Sequence, residues 1–312
     1  MKRFQRILVS VDTRREDHPP LTWAKLLAEH TGASLTLVDV VPAFSWPMRL
    51  AMRDHAHVTE LLLQEKQEKL DALADPLKKK GLQVDTKVFS GRSSNEIIRE
   101  VLRGKHDLVV CLPKGASSRR EGILGTTALQ LLRKCPCPVW IAKPESKPKI
   151  RHLLAAVDPV PHDVARSELN DALLELGTAI ATAEKCRLSV LHAWSIYGES
   201  MLRSRLVEAD FRQIEENTRT EIERAFEELL ARHGMKIADD NVHFVKAEAA
   251  QAMAQLTAGG DVDLLLIGTT ARAGVAGAIM GNTAEKIVDQ VPCSILALKP
   301  KGFVSPVTLD ES

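Results

Sequence analysis

The chain has 312 residues, 45% hydrophobic and 27% charged, enough for two domains of ordinary size that each bury a core and too apolar for a disordered chain. Its 42 Lys and Arg against 41 Asp and Glu leave no global basic field, so nucleic acid is not an expected partner. Five scattered cysteines argue against a disulfide framework, and no apolar run approaches the length of a signal-peptide core or a membrane span, which makes the cytoplasm the default location.

In chain order, Ile7–Asp12 is an apolar run ending in aspartate and predicts a first strand. A helical pattern over Leu21–Glu29 follows, then a second apolar run, Leu35–Val41, and a long charged helix with apolar residues at spacings of three and four over Val58–Lys80. Gly81 falls where a left-handed helix cap suits glycine. A third helix is expected over Ser93–Arg103, a fourth strand at His106–Cys111, and a closing strand at Val139–Ile141 entered through Cys135-Pro136-Cys137-Pro138. Lys143–Lys149, rich in proline and charge, then reads as a linker, with 144–149 as its core.

The same series begins again. Leu153–Asp158 repeats the first strand 146 residues on, followed by a helix over Leu169–Glu184, a strand at Leu188–Ala193 and a long helix over Val207–His233 with Gly234 behind it. A third helix over Ala249–Ala258, a fourth strand at Val262–Ile267 and a closing strand at Val291–Leu296 complete the copy. The chain is therefore read as α/β, two tandem doubly wound five-stranded parallel-sheet domains, 1–143 and 150–300, with a poorly anchored tail over 301–312.

In an open parallel sheet, ligands bind beyond the carboxyl ends of the strands where the strand order reverses. The fourth strand of the second half runs into Gly268-Thr269-Thr270-Ala271, and Gly281-Asn282-Thr283 then precedes a helical pattern. Gly268 lets the chain turn sharply off the strand with no Cβ facing a ligand. Gly281, Asn282 and Thr283 open a helix whose unpaired N–H groups favour an anion such as phosphate. In the first half Gly115, Gly125 and Thr126 stand in the corresponding places, but Leu112 and Pro113 replace the first turn.

These motifs resemble the universal stress protein family, whose ATP-binding members carry an aspartate at the end of the first strand and a spaced glycine series after the fourth. The resemblance covers nearly all of both halves, and Gly281–Glu285 with Phe303–Val307 look most like the tandem, type E members. It implies a Rossmann-like, adenine nucleotide α-hydrolase-like fold and ATP or another adenine nucleotide as ligand. By the same resemblance, Asp158 touches the adenosine, the backbone at Ala193 lines the base pocket, and Gly268, Gly281, Asn282 and Thr283 surround the phosphates. Asp12, Val40, Gly115, Gly125 and Thr126 are their first-half equivalents. Ala271 stands where the family has glycine, so its Cβ crowds that turn. The family pairs two such domains through their fifth strands, which implies a pseudo-dimer within this chain and leaves further homodimerisation open.

Other features carry structural and functional readings side by side. Phe44-Ser45-Trp46-Pro47-Met48 and Trp194-Ser195-Ile196-Tyr197 either cover the sheet ends as local core or wall a pocket for a base or lipid-like chain. Cys135 and Cys137 fit a strand entry better than a metal site. There is no Gly-Lys-(Ser/Thr) phosphate loop, Ser-His-Asp order or paired-carboxylate motif, so a binding protein is expected rather than an enzyme, with slow ATP hydrolysis left open. The readings that remain are a nucleotide-responsive regulatory module, a nucleotide-independent scaffold or binder of an apolar ligand, and a weak ATPase.

Overall fold

The computed structural model describes residues 4–44, 54–114, 124–144, 149–160, 163–269, 287–288 and 290–309. The first half contains β1 (Arg6–Ser10), α1 (Pro19–Thr31), β2 (Ser34–Pro42), α2 (His55–Lys79), β3 (Val84–Gly91), α3 (Ser93–Gly104), β4 (Leu108–Cys111), α4 (Thr126–Lys134) and β5 (Val139–Ile141). The second contains β6 (His152–Ala156), α5 (Val164–Glu184), β7 (Arg187–Trp194), α6 (Glu199–Arg205), α7 (Glu208–Arg232), β8 (Val242–Lys246), α8 (Ala249–Thr257), β9 (Leu264–Gly268) and β10 (Ser294–Leu298).

The ten strands among the described residues lie in one sheet, in the order β3-β2-β1-β4-β5-β10-β9-β6-β7-β8. Each half is parallel within itself and winds outward from a switch point, between β1 and β4 in one half and between β6 and β9 in the other. The central strands are covered on both faces by helices, which is why they are almost wholly apolar. The edge strands β3 and β8 are more polar, with Asp85, Lys87, His243 and Lys246 along them, and they carry no apolar run in the sequence. The long helices stop where expected: Gly81 takes φ +85° and Gly234 φ +69°, the left-handed backbone that glycine adopts at least cost.

The halves are joined by hydrogen bonds rather than by side-chain contact alone. β5 and β10 pair antiparallel, with Leu296 opposite Trp140 and Ile295 opposite Ile141. Trp140 and Leu296 occupy the same place in the two repeats, 156 residues apart, so a local two-fold runs between them. Alternate residues serve opposite faces. Trp140 and Leu296 enter the core beneath α1, α2, α5 and α7, where Trp140 meets Trp23 at 5.2 Å between ring centroids. Val139, Ile141, Ile295 and Ala297 enter the core beneath α3, α4 and α8. Both cores therefore cross the junction without a break.

A reciprocal polar contact accompanies the pairing. The residue two places beyond β5, Lys143, donates through Nζ to the Val291 carbonyl of the other half. Its counterpart Lys299 donates through Nζ to the carbonyls of Leu132 and Arg133 at the C-terminal end of α4, and lies 4.6 Å over the Phe303 ring. Each repeat thus supplies a lysine to the far half's carbonyls. Burial lowers the Lys299 ammonium from 10.5 to about 8. The unfolded chain holds that proton up to about 10.5, so folding gains stability as the pH rises through that window. In urea titrations the wild type is expected to gain on Lys299→Met between pH 7.5 and 10. A difference that stays constant across those pH values contradicts the burial of the charge.

Candidate functional site

β6 is followed by Val157 and Asp158 at the carboxyl end of the second sheet half, beside the ends of β7 and β9. α5 lies across them. Together with α8 and Ile287, these elements enclose a cavity of ≈ 190 Å³. Asp158, Ala193 and Gly268 all line it. Much of the remaining wall is apolar: Leu169 and Leu173 from α5, Leu191 from β7, Met253 from α8, and Ile267 and Ile287. The polar residues are Asp158, Arg166 and Asn170.

Asp158 stands at the exposed mouth of this cavity. Its Oδ2 accepts from an Arg166 terminal nitrogen at 2.7 Å, and Arg166 Nε lies 3.2 Å from Asp163 Oδ2. Asp163 in turn is the N-cap of α5, its Oδ1 accepting from the Arg166 amide at 3.0 Å. The ion pair is partly exposed, so it orders the mouth more than it stabilises the fold. The peptide carrying Asp158 is also held: Asp158 N–H donates to Asn170 Oδ1 at 3.0 Å, and the preceding Val157 carbonyl accepts from His192 Nδ1 at 3.1 Å. Burial lowers the His192 pKa, which keeps the ring neutral.

Gly268 is needed for a reason the sequence did not suggest. It is still a ladder residue, paired with Leu298, and it is not among the residues with positive φ, so no sharp turn is made there. A Cβ on it would lie 2.7 Å from Leu169 Cδ2, so glycine lets α5 sit close against β9. The next residue, Thr269, spends both its amide (2.8 Å) and its hydroxyl (3.0 Å) on the Leu298 carbonyl. Ala271, Gly281, Asn282, Thr283 and, in the first half, Gly115 lie outside the described residues.

The described first-half candidates, Asp12, Val40, Gly125 and Thr126, have other partners. Asp12 is gripped by Arg14, whose Nε and terminal nitrogen each lie 2.8 Å from its carboxylate, and this pairing raises the Arg14 pKa. Val40 is buried, and its amide donates to Asp39 Oδ1 at 2.7 Å. Asp39 Oδ2 accepts from the Thr13 amide (3.0 Å) and hydroxyl (2.7 Å) and from Lys66 Nζ (2.5 Å). By strand register Asp39 is the counterpart of His192. Gly125 is the N-cap of α4, and its amide already donates to the Pro113 carbonyl at 2.8 Å. Exposed Thr126 borders a separate recess with Gly91, Arg92, Ser93 and Ser94, which Asp12, Val40 and Gly125 do not line.

The aromatic loops divide. Trp194 is buried and stacks on Phe244 at 6.0 Å, in a cluster with Phe226 and His192, so it belongs to the core under α7 and does not line the cavity. Tyr197 is fully exposed. Ser45–Met48 fall outside the described residues. Cys135 and Cys137 lie 3.6 Å apart between their sulfurs and bracket the entry to β5; the bond to Cys135 and burial push the Cys137 thiol well up. Among the described residues no three His, Cys, Asp or Glu side chains gather as a metal site would need, and no helix is long and apolar enough to cross a membrane.

The family model for the universal stress protein family matches residues 3–143 and again 149–299. The chain belongs to the universal stress protein family. Universal stress protein E of Escherichia coli K12 is 25% identical over 314 residues, covering 100% of this chain and 99% of its own. The universal stress protein E homolog of Haemophilus influenzae is 23% identical, covering 96% and 98%. Among solved structures, a functionally unknown protein from Pseudomonas aeruginosa PAO1 superposes with a TM-score of 0.71 at 26% identity, covering 96% of this chain and 94% of that one. A universal stress protein from Archaeoglobus fulgidus shares the fold at a TM-score of 0.65 and 16% identity, covering 94% and 98%.

Within this universal stress protein, sequence reading missed Arg166, Asn170 and His192. A signal was available in the differences between the repeats: His192 stands where the first half has Asp39. The Asp39–Lys66 pair makes the first half's use of that position testable. Asp39 is buried and Lys66 nearly so, with side chains 8% and 12% exposed. Lys66→Met is expected to cost about 3–5 kcal/mol by leaving the buried Asp39 carboxylate without a counter-charge, and the double variant Asp39→Leu/Lys66→Met to recover most of that. Urea unfolding decides it: a single variant as stable as wild type removes the ion pair from the account.

Proposed function

We propose that this chain is a stress-response binding protein whose second domain holds an adenine nucleotide, ATP or a relative, at the carboxyl ends of β6, β7 and β9. The observation that carries this reading is the convergence of Asp158, Ala193 and Gly268 on one cavity at the switch point of the second half-sheet. At ≈ 190 Å³ the cavity is smaller than the ~300–1,000 Å³ usual for a whole small-molecule site, so it takes one end of a ligand. A flat, weakly polar base suits its apolar walls, with the ribose at Asp158 and the phosphates outside. Gly281, Asn282 and Thr283 hold those phosphates in this proposal, and Ala271 lies beside them.

The role is binding and not turnover. Asp158, Arg166 and Asn170 bond to one another or to nearby backbone, and none is arranged as a base beside a nucleophile. The first half, with Asp12 and Asp39 engaged by Arg14 and Lys66, serves in this reading as the fixed partner of the pseudo-dimer. The apolar walls also support a second reading, in which the occupant is the hydrocarbon end of a lipid-like molecule.

Millimolar ATP at about ten times its Kd is expected to stabilise the protein by roughly 1.4 kcal/mol, a shift of a few degrees in melting temperature. Gly268→Val, which drives Leu169 into the cavity, should abolish that shift, and Asp12→Ala should preserve it. Mass spectrometry of molecules released on denaturation distinguishes the readings. An acyl chain with no thermal response to ATP selects the lipid-like occupant.

A further inference from the structure

The Val157–Asp158 peptide is held from both sides, and the chemistry of the two bonds fixes how each side chain is turned. A carbonyl can only accept, so His192 carries its proton on Nδ1 toward Val157. An amide N–H can only donate, so Asn170 turns Oδ1 toward Asp158, which leaves Nδ2 on the other side of the carboxamide. That Nδ2 is buried and finds no hydrogen-bond partner, in a residue only 3% exposed. Leaving such a donor unpaired costs about 1–3 kcal/mol, and buried polar groups in native proteins are nearly always paired.

Asn170 lines the cavity of the second half, whose walls are otherwise largely apolar. We infer that Asn170 is a specificity-determining contact of this cavity, its Nδ2 donating to a hydrogen-bond acceptor on the buried end of the ligand. The inference rests on the nucleotide reading, and for adenine the acceptor is one of the unprotonated ring nitrogens N1, N3 or N7. The same residue therefore does two things: Oδ1 positions the peptide of Asp158, and Nδ2 selects for a ring with a lone pair at the matching place. A group presenting an N–H or C–H there leaves the amide unpaired and is rejected.

The test is calorimetric titration of the full chain with ATP and its 1-deaza, 3-deaza and 7-deaza analogues, each of which replaces one ring nitrogen by C–H. Asn170→Asp keeps an oxygen facing Asp158 N–H and removes the donor. Asn170→Ala removes both, and its melting temperature without ligand reports whether it folds. Wild type is expected to bind one of the three analogues ~10- to 100-fold more weakly than ATP. Asn170→Asp should weaken ATP by a similar factor, and both variants should lose the preference between ATP and that analogue. Asn170 also borders a shallow depression between α5 and α7. If wild type binds ATP and all three analogues alike and Asn170→Asp leaves the affinity unchanged, the amide serves that other side; the inference is then overturned while the nucleotide reading stands. If wild type binds no ATP, both fall together.

Discussion

The structure depends on the antiparallel pairing of β5 with β10. Each half-sheet would otherwise end in an unpaired strand, a row of exposed amide and carbonyl groups prone to adventitious pairing. Joining the two edges removes that hazard, and the reciprocal lysines at 143 and 299 bind the carbonyls that lie beside the seam. Because the pairing is antiparallel, the carboxyl ends of the two half-sheets point in opposite directions. The two candidate sites therefore open at opposite ends of one continuous sheet, and each can diverge without disturbing the other.

They have diverged at aligned positions. In the first half a buried ion pair, Asp39 with Lys66, ties β2 to α2 and gathers the Thr13 hydroxyl and the Val40 amide. In the second half the counterpart of Asp39 is His192, set among Phe226, Phe244 and Trp194, and its polar duty is to the Val157 carbonyl. A buried carboxylate held by a counter-charge and several donors is costly to rearrange, whereas a neutral histidine and an asparagine leave room and an unpaired donor. The consequence is a first half whose strand-end carboxylates, Asp12 and Asp39, are engaged by Arg14 and Lys66, and a second half with a cavity in which the Asn170 amide is positioned but not fully paired.

The repeat, the parallel α/β plan and the helix caps at Gly81 and Gly234 were legible in the sequence because they follow from hydrophobic periodicity and backbone sterics. The edge strands β3 and β8 were harder, since half of each faces away from the core and no apolar run marks it. Of the site, Asp158, Ala193 and Gly268 were legible through the family resemblance, though glycine at 268 answers to Leu169 and not to a turn. Asn170 and Arg166 were not. Both lie within a helix whose pattern predicts only which face is buried, and a polar residue on that face looks like an exception until the loop it holds is seen. Trp194 showed the reverse: an aromatic placed next to a pocket residue in sequence points to the opposite side of the strand.

The central claim is that one of two homologous half-sites has kept a place for a nucleotide. The stoichiometry of ATP binding to the full chain, from calorimetric titration at protein concentrations well above Kd, tests it most directly. One nucleotide per chain is predicted. Two per chain would contradict the assignment of the first half as the non-binding partner, and none would remove the nucleotide from the account altogether.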